Sequence, residues 1–169
     1  MTYLIWLLRI IHIVGGIFWV GGTLMMAFFI APTVGATAEA GQKFIGHLMG
    51  NLKFSNRMAA AAGMTILAGF FLYWIDSDGF TSAWVSSGAG RGFGIGAAFA
   101  LIGFVFGLLV GRTSKSMAQL GAQFQGKPSS KQMSQMQSLG KRQASYANTS
   151  AALLIIATVF MAIARYFTF

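Results

Sequence analysis

The chain has 169 residues, 56% of them hydrophobic and only 9% charged, against roughly 25% charged in an ordinary soluble domain; so few charges cannot cover a water-soluble fold, whereas a bilayer removes that demand. The formal net charge of +9 does not point to nucleic acid, because the basic residues sit at the ends of apolar runs. With no cysteine, two histidines and three carboxylates, disulfides, thiolate metal sites, iron–sulfur clusters and cysteine nucleophiles are excluded, and paired-carboxylate or two-metal chemistry nearly so.

A membrane span needs about 20 mostly apolar residues, since a helix rises about 1.5 Å per residue across a hydrocarbon core of about 30 Å. The first candidate runs from Tyr3 to about Ala31 and is closed by Pro32. It lacks a basic n-region, and its apolar run far exceeds the usual ~7–15 residues, so it is not expected to be a cleavable signal peptide. Over residues 41–54, Phe44, Ile45, Leu48, Met49 and Leu52 fall on one arc, which predicts a short amphipathic helix at the interface. His47 falls on its polar arc with Lys43 and Asn51, as a solvated surface residue. The second span runs from about Ser55 to Ile75, followed by a loop over 76–91 that carries Asp76 and Asp78.

The third span is Gly92 to Gly111 and the fourth about Ser150 to Phe169. Between them, Met117, Leu120 and Phe124 keep a helical period, a break falls at Gly126-Lys127-Pro128, and Met133, Met136 and Leu139 resume it, with Ser130 as a candidate cap. The predicted fold is all-α: one transmembrane domain over 1–169, a four-helix bundle in which spans three and four extend as a cytoplasmic helical hairpin. The cytoplasmic connections are 32–54 and 112–149. Nine of the 12 Lys and Arg residues lie in or beside these connections, and only Arg9, Arg91 and Arg165 lie toward the other side. The positive-inside rule therefore predicts both termini and the 76–91 loop on the outside.

Gly92, Gly96, Gly103, Gly107 and Gly111 share one arc of the third span. Small-xxx-small spacing lets helix backbones approach closely in lipid, which predicts packing within the bundle or a homodimer through this face. The run Gly92-Phe93-Gly94-Ile95-Gly96-Ala97 has no strand before it and no acid about 20 residues on, so it is not a dinucleotide fingerprint.

The first span carries the candidate site. His12, Arg9, Gly16, Trp19 and Thr23 fall on one face, opposite Leu, Ile, Val and Phe. A face with ionisable groups is expected to point into the bundle. By depth, His12 and Arg9 are expected to meet Arg165 and Asp76 in the outer leaflet, with Tyr73 and Tyr166 nearby. Met25, Met26 and Met64 are expected too far toward the other leaflet to share an ion with His12. Several chemistries suit the site. Neutral imidazole ligates haem iron, here as haem b, with Arg9 and Arg165 pairing its propionates; a quinone-type ligand is the related case. Imidazole with thioethers suits copper. With no cofactor, His12 simply hydrogen-bonds a neighbouring helix, and the arginines snorkel to the interface. His47 is most of a membrane thickness away, so the two histidines are not expected to ligate one haem. No catalytic residue is identified, because the serines cluster in loops without a histidine or acid beside them.

The run from His12 through Gly15, Gly16, Trp19, Gly21 and Gly22, then Pro32, then Phe54-Ser55-Asn56-Arg57 and the Leu67-Ala68-Gly69 of the second span, resembles the membrane domain of the copper resistance protein D (CopD-like) superfamily and related bacterial four-helix membrane proteins. The resemblance covers roughly residues 5–75. It implies a four-helix bundle in a bacterial inner membrane, a role in copper handling, and importance for a histidine at the position of His12. Full members of that family have about twice as many helices. A looser likeness to membrane-bound protoporphyrinogen oxidases rests on a first-helix histidine and haem binding; the third span here has no Lys or Arg within it, so that activity is not carried over. Three functions follow as expectations: an accessory subunit with a haem or quinone at His12, a copper-handling protein, or a cofactor-free scaffold subunit of a larger membrane complex or homo-oligomer.

Overall fold

The computed structural model describes residues 2–124 and 126–168. Four long apolar helical segments dominate: Thr2–Ala36, Phe54–Asp76, Gly88–Ala122 and Ser130–Tyr166. Each is long enough to cross a bilayer, and its backbone polar groups are satisfied within the helix, as hydrocarbon requires. Only 11% to 28% of the residues in each apolar stretch are buried inside the protein. Side chains such as Leu4, Leu7, Ile10, Ile17, Phe70 and Val105 lie bare, far more apolar surface than a soluble monomer exposes. The fold is that of a multi-pass helical membrane protein. The end of the expected fourth span, Phe169, lies outside the described residues.

The first segment does not close at Pro32. Helix α1 (Thr2–Met25) passes into a π-turn (Met26–Ile30) and then α2 (Ala31–Ala36). The Ala31 N–H donates to the Met26 carbonyl, five residues back. Pro32 has no N–H to donate, and its ring crowds the carbonyl one turn back. Widening that turn, and placing Pro32 in the first turn of α2, lets the helix run through.

The amphipathic helix α3 (Ala38–Gly50) starts earlier and stops sooner than its apolar period predicts. The N–H groups of Asn51 and Leu52 both donate to the His47 carbonyl, and Lys53 turns the chain with φ of 50°. Leu52 therefore falls outside the helix. Helix α4 (Phe54–Asp76) follows, then a short α5 (Ser82–Val85) in the outer loop. Helix α6 (Gly88–Ala122) and helix α7 (Ser130–Ile163), closed by a 3-10 turn (Ala164–Tyr166), form the predicted hairpin. Its cap is Ser129, not Ser130. Ser129 is extended, its hydroxyl accepts from Gln132 N–H, and the Gln132 side chain accepts from Ser129 N–H. Only a residue three before Gln132 reaches both groups of this capping box.

The helices pair as two antiparallel hairpins, α1 along α4 and α6 along α7, with far fewer contacts between the pairs. In hydrocarbon such pairs are held by close approach and interhelical hydrogen bonds. Along α6, a Cβ on Gly96 would lie 3.2 Å from Phe160 Cβ, and one on Gly103 would lie 3.2 Å from Leu154. Ser150, almost fully buried, donates its hydroxyl to the Gly103 carbonyl at 2.8 Å. Gly107 is exposed, with Ser150 Oγ 4.0 Å from where its Cβ would sit, and nothing lies within 4 Å at Gly111. The glycine stripe thus packs on α7 at Gly96 and Gly103 and opens toward the hairpin loop at Gly107 and Gly111. The two hairpins meet where Trp19, Ala61, Ala62 and Leu154 form the buried cluster, with Phe104 edge-to-face on Trp19.

Replacing Gly103 by leucine should destabilise the detergent-solubilised protein by about 1–3 kcal/mol through overpacking. The same change at Gly111 should be near neutral. Thermal unfolding of both variants in one detergent checks the contrast.

Candidate functional site

The site grows from a notch. Helix α4 places Thr65 and Gly69 one turn apart on the side that meets α1. The imidazole of His12 lies over Gly69, where a Cβ would come 2.7 Å from His12 Cε1 and 2.9 Å from Nδ1. His12 Nδ1 is 2.8 Å from the Thr65 carbonyl oxygen. A carbonyl can only accept, so Nδ1 carries the proton and donates. In the neutral ring Nε2 is then left with its lone pair. Thr65 is buried, and its hydroxyl donates to the Ala61 carbonyl at 2.8 Å. A Cβ on Gly15 would lie 2.6 Å from Thr65 Oγ1, so glycines on both helices bring the backbones close enough for the imidazole to span them.

His12 itself is half-buried. Arg9, one turn outward, is also half-buried, and Arg165 is exposed on the 3-10 turn. Asp76 ends α4, half-buried. Among the described residues the one ion pair joins Lys43 to Glu39 on α3, and no hydrogen bond links His12, Arg9, Arg165 and Asp76 to one another. The hydrogen bond and the close packing that the structure gives His12 are with Thr65 and Gly69 of α4. Trp19 is buried in the hydrophobic cluster between the hairpins, seven residues and about 10 Å along the helix from His12. Tyr166 is exposed. Tyr73 donates its hydroxyl to the Gly90 carbonyl at 3.1 Å and stacks edge-on against Trp84. It ties α4 to the first turn of α6 and forms, with Phe70, Trp74 and Phe80, an aromatic cap at the outer end.

Met64 corrects the depth expected from sequence. It neighbours Thr65, whose carbonyl holds His12, and so lies level with the imidazole. Because α4 begins at Phe54, Met64 is already about 15 Å up the helix. Its side chain flanks Val14 and Phe18 rather than Gly69. Met25 and Met26 remain at the other end of the segment, about 20 Å from His12 along the axis. Among the described residues no three His, Cys, Asp or Glu side chains cluster, so any ion here would depend on the single imidazole and thioethers. His47 is exposed on α3, as its place on the polar arc predicts.

Thr65 and Gly69 were absent from the predicted site. Their signal was present, since they stand four residues apart on one face of the second span, as a polar residue and a gap. Their pairing with His12 needed the α1–α4 register. Comparison with protein-family models, with curated proteins and with solved structures finds no match.

A methyl group at Gly69 should displace the imidazole. The Gly69→Ala variant is expected to lose the His12–Thr65 hydrogen bond and about 1–3 kcal/mol of stability. In 15N spectra of histidine-labelled protein, the Nδ1-protonated tautomer of the wild type should give way to exchange between the two tautomers in this variant.

Proposed function

We propose that this chain is a small, non-catalytic subunit of the bacterial inner membrane that holds a haem near its outer face, with His12 Nε2 as the iron ligand. The observation that carries the reading is the hydrogen bond from His12 Nδ1 to the Thr65 carbonyl. A backbone carbonyl behind Nδ1 fixes the tautomer that leaves Nε2 free, orients the ring and raises the basicity of the ligating nitrogen. The same tautomer discriminates among ligands. Nε2 can coordinate iron or accept from a quinol hydroxyl, whereas it cannot donate to a quinone carbonyl unless the ring gains a proton. Arg9, on the His12 face and without an ion pair among the described residues, would supply a cation for a propionate. A bound haem would supply one-electron transfer. The chain's own part is to hold the imidazole rigid and to exclude water from the spans.

Visible spectra of the purified protein, oxidised and reduced, test this directly. A Soret band that shifts on reduction should be present in the wild type and lost in both His12→Ala and Gly69→Ala. A flat spectrum in protein purified with haem supplied would overturn the assignment. Copper found by metal analysis of that same sample, and lost with His12, would instead favour copper handling. If neither ligand is present, the largely uncovered spans favour a cofactor-free scaffold subunit, for which the open end of the glycine stripe at Gly107 and Gly111 is a docking face.

The orientation belongs to the same proposal. Nine cations at one end of the bundle support a cytoplasmic hairpin and outward termini. A reporter fused after Phe169 that is active only outside the cytoplasm should be active, and one inserted near Lys127 silent.

A further inference from the structure

A shallow groove of about 410 Å³ runs along the α1–α4 pair, on a flank that no residue of α6 or α7 lines. Its walls are Ile10, Val14 and Phe18 of α1 and Ala61 and Met64 of α4, and its one charged lining residue is Arg57. Because α1 and α4 are antiparallel, with Gly22 packed on Met58 and Gly15 on Thr65 and Ala61, Arg57 stands at the Phe18 end. That is the end from which the basic connections project. Lys53 stands one turn before Arg57, and both are exposed.

We infer that this groove holds one acyl chain of an anionic phospholipid, with the lipid phosphate on Arg57. The charges on the page call for such an anion. The chain has three carboxylates. Asp76 and Asp78 lie at the opposite end of α4, and Glu39 is taken by Lys43 at 2.8 Å. Among the described residues no carboxylate pairs with Arg57, while an arginine fork suits a phosphate. The shape calls for an alkyl chain. From Ile10 to Phe18 the groove is about 12 Å long, and apart from Arg57 its lining is apolar. A chain running from Arg57 toward Ile10 starts at the headgroup level of the basic side and reaches the depth of His12. This site is distinct from the His12 notch and does not depend on haem.

Native mass spectrometry tests it on the full-length protein in mild detergent, with mixed micelles of dioleoyl phosphatidylglycerol or dioleoyl phosphatidylcholine as probes. The wild type should retain the phosphatidylglycerol about fivefold more than the phosphatidylcholine, the effect of one interfacial cation. Arg57→Ala should erase that preference and Arg57→Lys should keep most of it. Arg91→Ala, at the opposite end, should leave it unchanged. Val14→Trp, which fills the groove at an exposed position, should lower retention of both lipids. Equal retention of the two lipids by the wild type, a preference that survives Arg57→Ala, or retention untouched by Val14→Trp would each overturn the assignment. Circular dichroism on each variant separates loss of binding from loss of fold.

Discussion

Two helices immersed in hydrocarbon gain little by burying leucine against leucine, because the lipid they displace is equally apolar. What remains is dispersion at close range and the few hydrogen bonds that cross from one backbone to the next. Every well-made contact in this protein answers to that constraint. Gly15, Gly22 and Gly69 thin the α1–α4 interface, and Gly96 and Gly103 thin the α6–α7 interface. Where the backbones come close, a polar side chain bridges them: His12 to the Thr65 carbonyl, Ser150 to the Gly103 carbonyl. The two hairpins meet at the cluster of Trp19, Ala61, Ala62 and Leu154, with Phe104 edge-to-face on Trp19, and at the hydrogen bond from Tyr73 to the Gly90 carbonyl. The fold is thus strong within each pair and thin between them.

In the His12 notch one hydrogen bond both joins two helices and orients a ring. The same bond that helps hold α1 to α4 sets the tautomer of the ring. An imidazole held this way presents an unprotonated nitrogen at a fixed place, which is what a metal or haem ligand requires and what a freely rotating histidine does not offer. The arginines near it play a different part. Among the described residues no carboxylate pairs with Arg9 or Arg165, and long cationic side chains at a span's end suit lipid headgroups. The Tyr73–Gly90 bond and the aromatic cap take over the role of an outer clasp.

Charge sorts the molecule along its other axis. The acidic residues Asp76 and Asp78 stand at the C-terminal end of α4, while Arg57 stands at its other end, with the hairpin cations. Arg57 is set where an apolar groove begins, and among the described residues no carboxylate pairs with it.

The sequence by itself determined the class of fold. Four long apolar runs, few charges and a lopsided set of lysines and arginines leave little but a four-span helical protein, because the bilayer admits few ways to satisfy a backbone. It also marked the glycine arc on the third span and His12 on the first as positions with a purpose. It could not say which helix would answer them. A glycine shows that something comes near and not what, and the length of a span fixes depth only within a turn or two, which is why Met64 fell level with His12 and Pro32 did not end its helix. The tertiary structure alone decided that His12 meets Thr65 and Gly69, and that Trp19 belongs to the core. Those pairings depend on register between helices, and in lipid register is set by the local fit of small residues and single hydrogen bonds, which no one helix carries in its own periodicity.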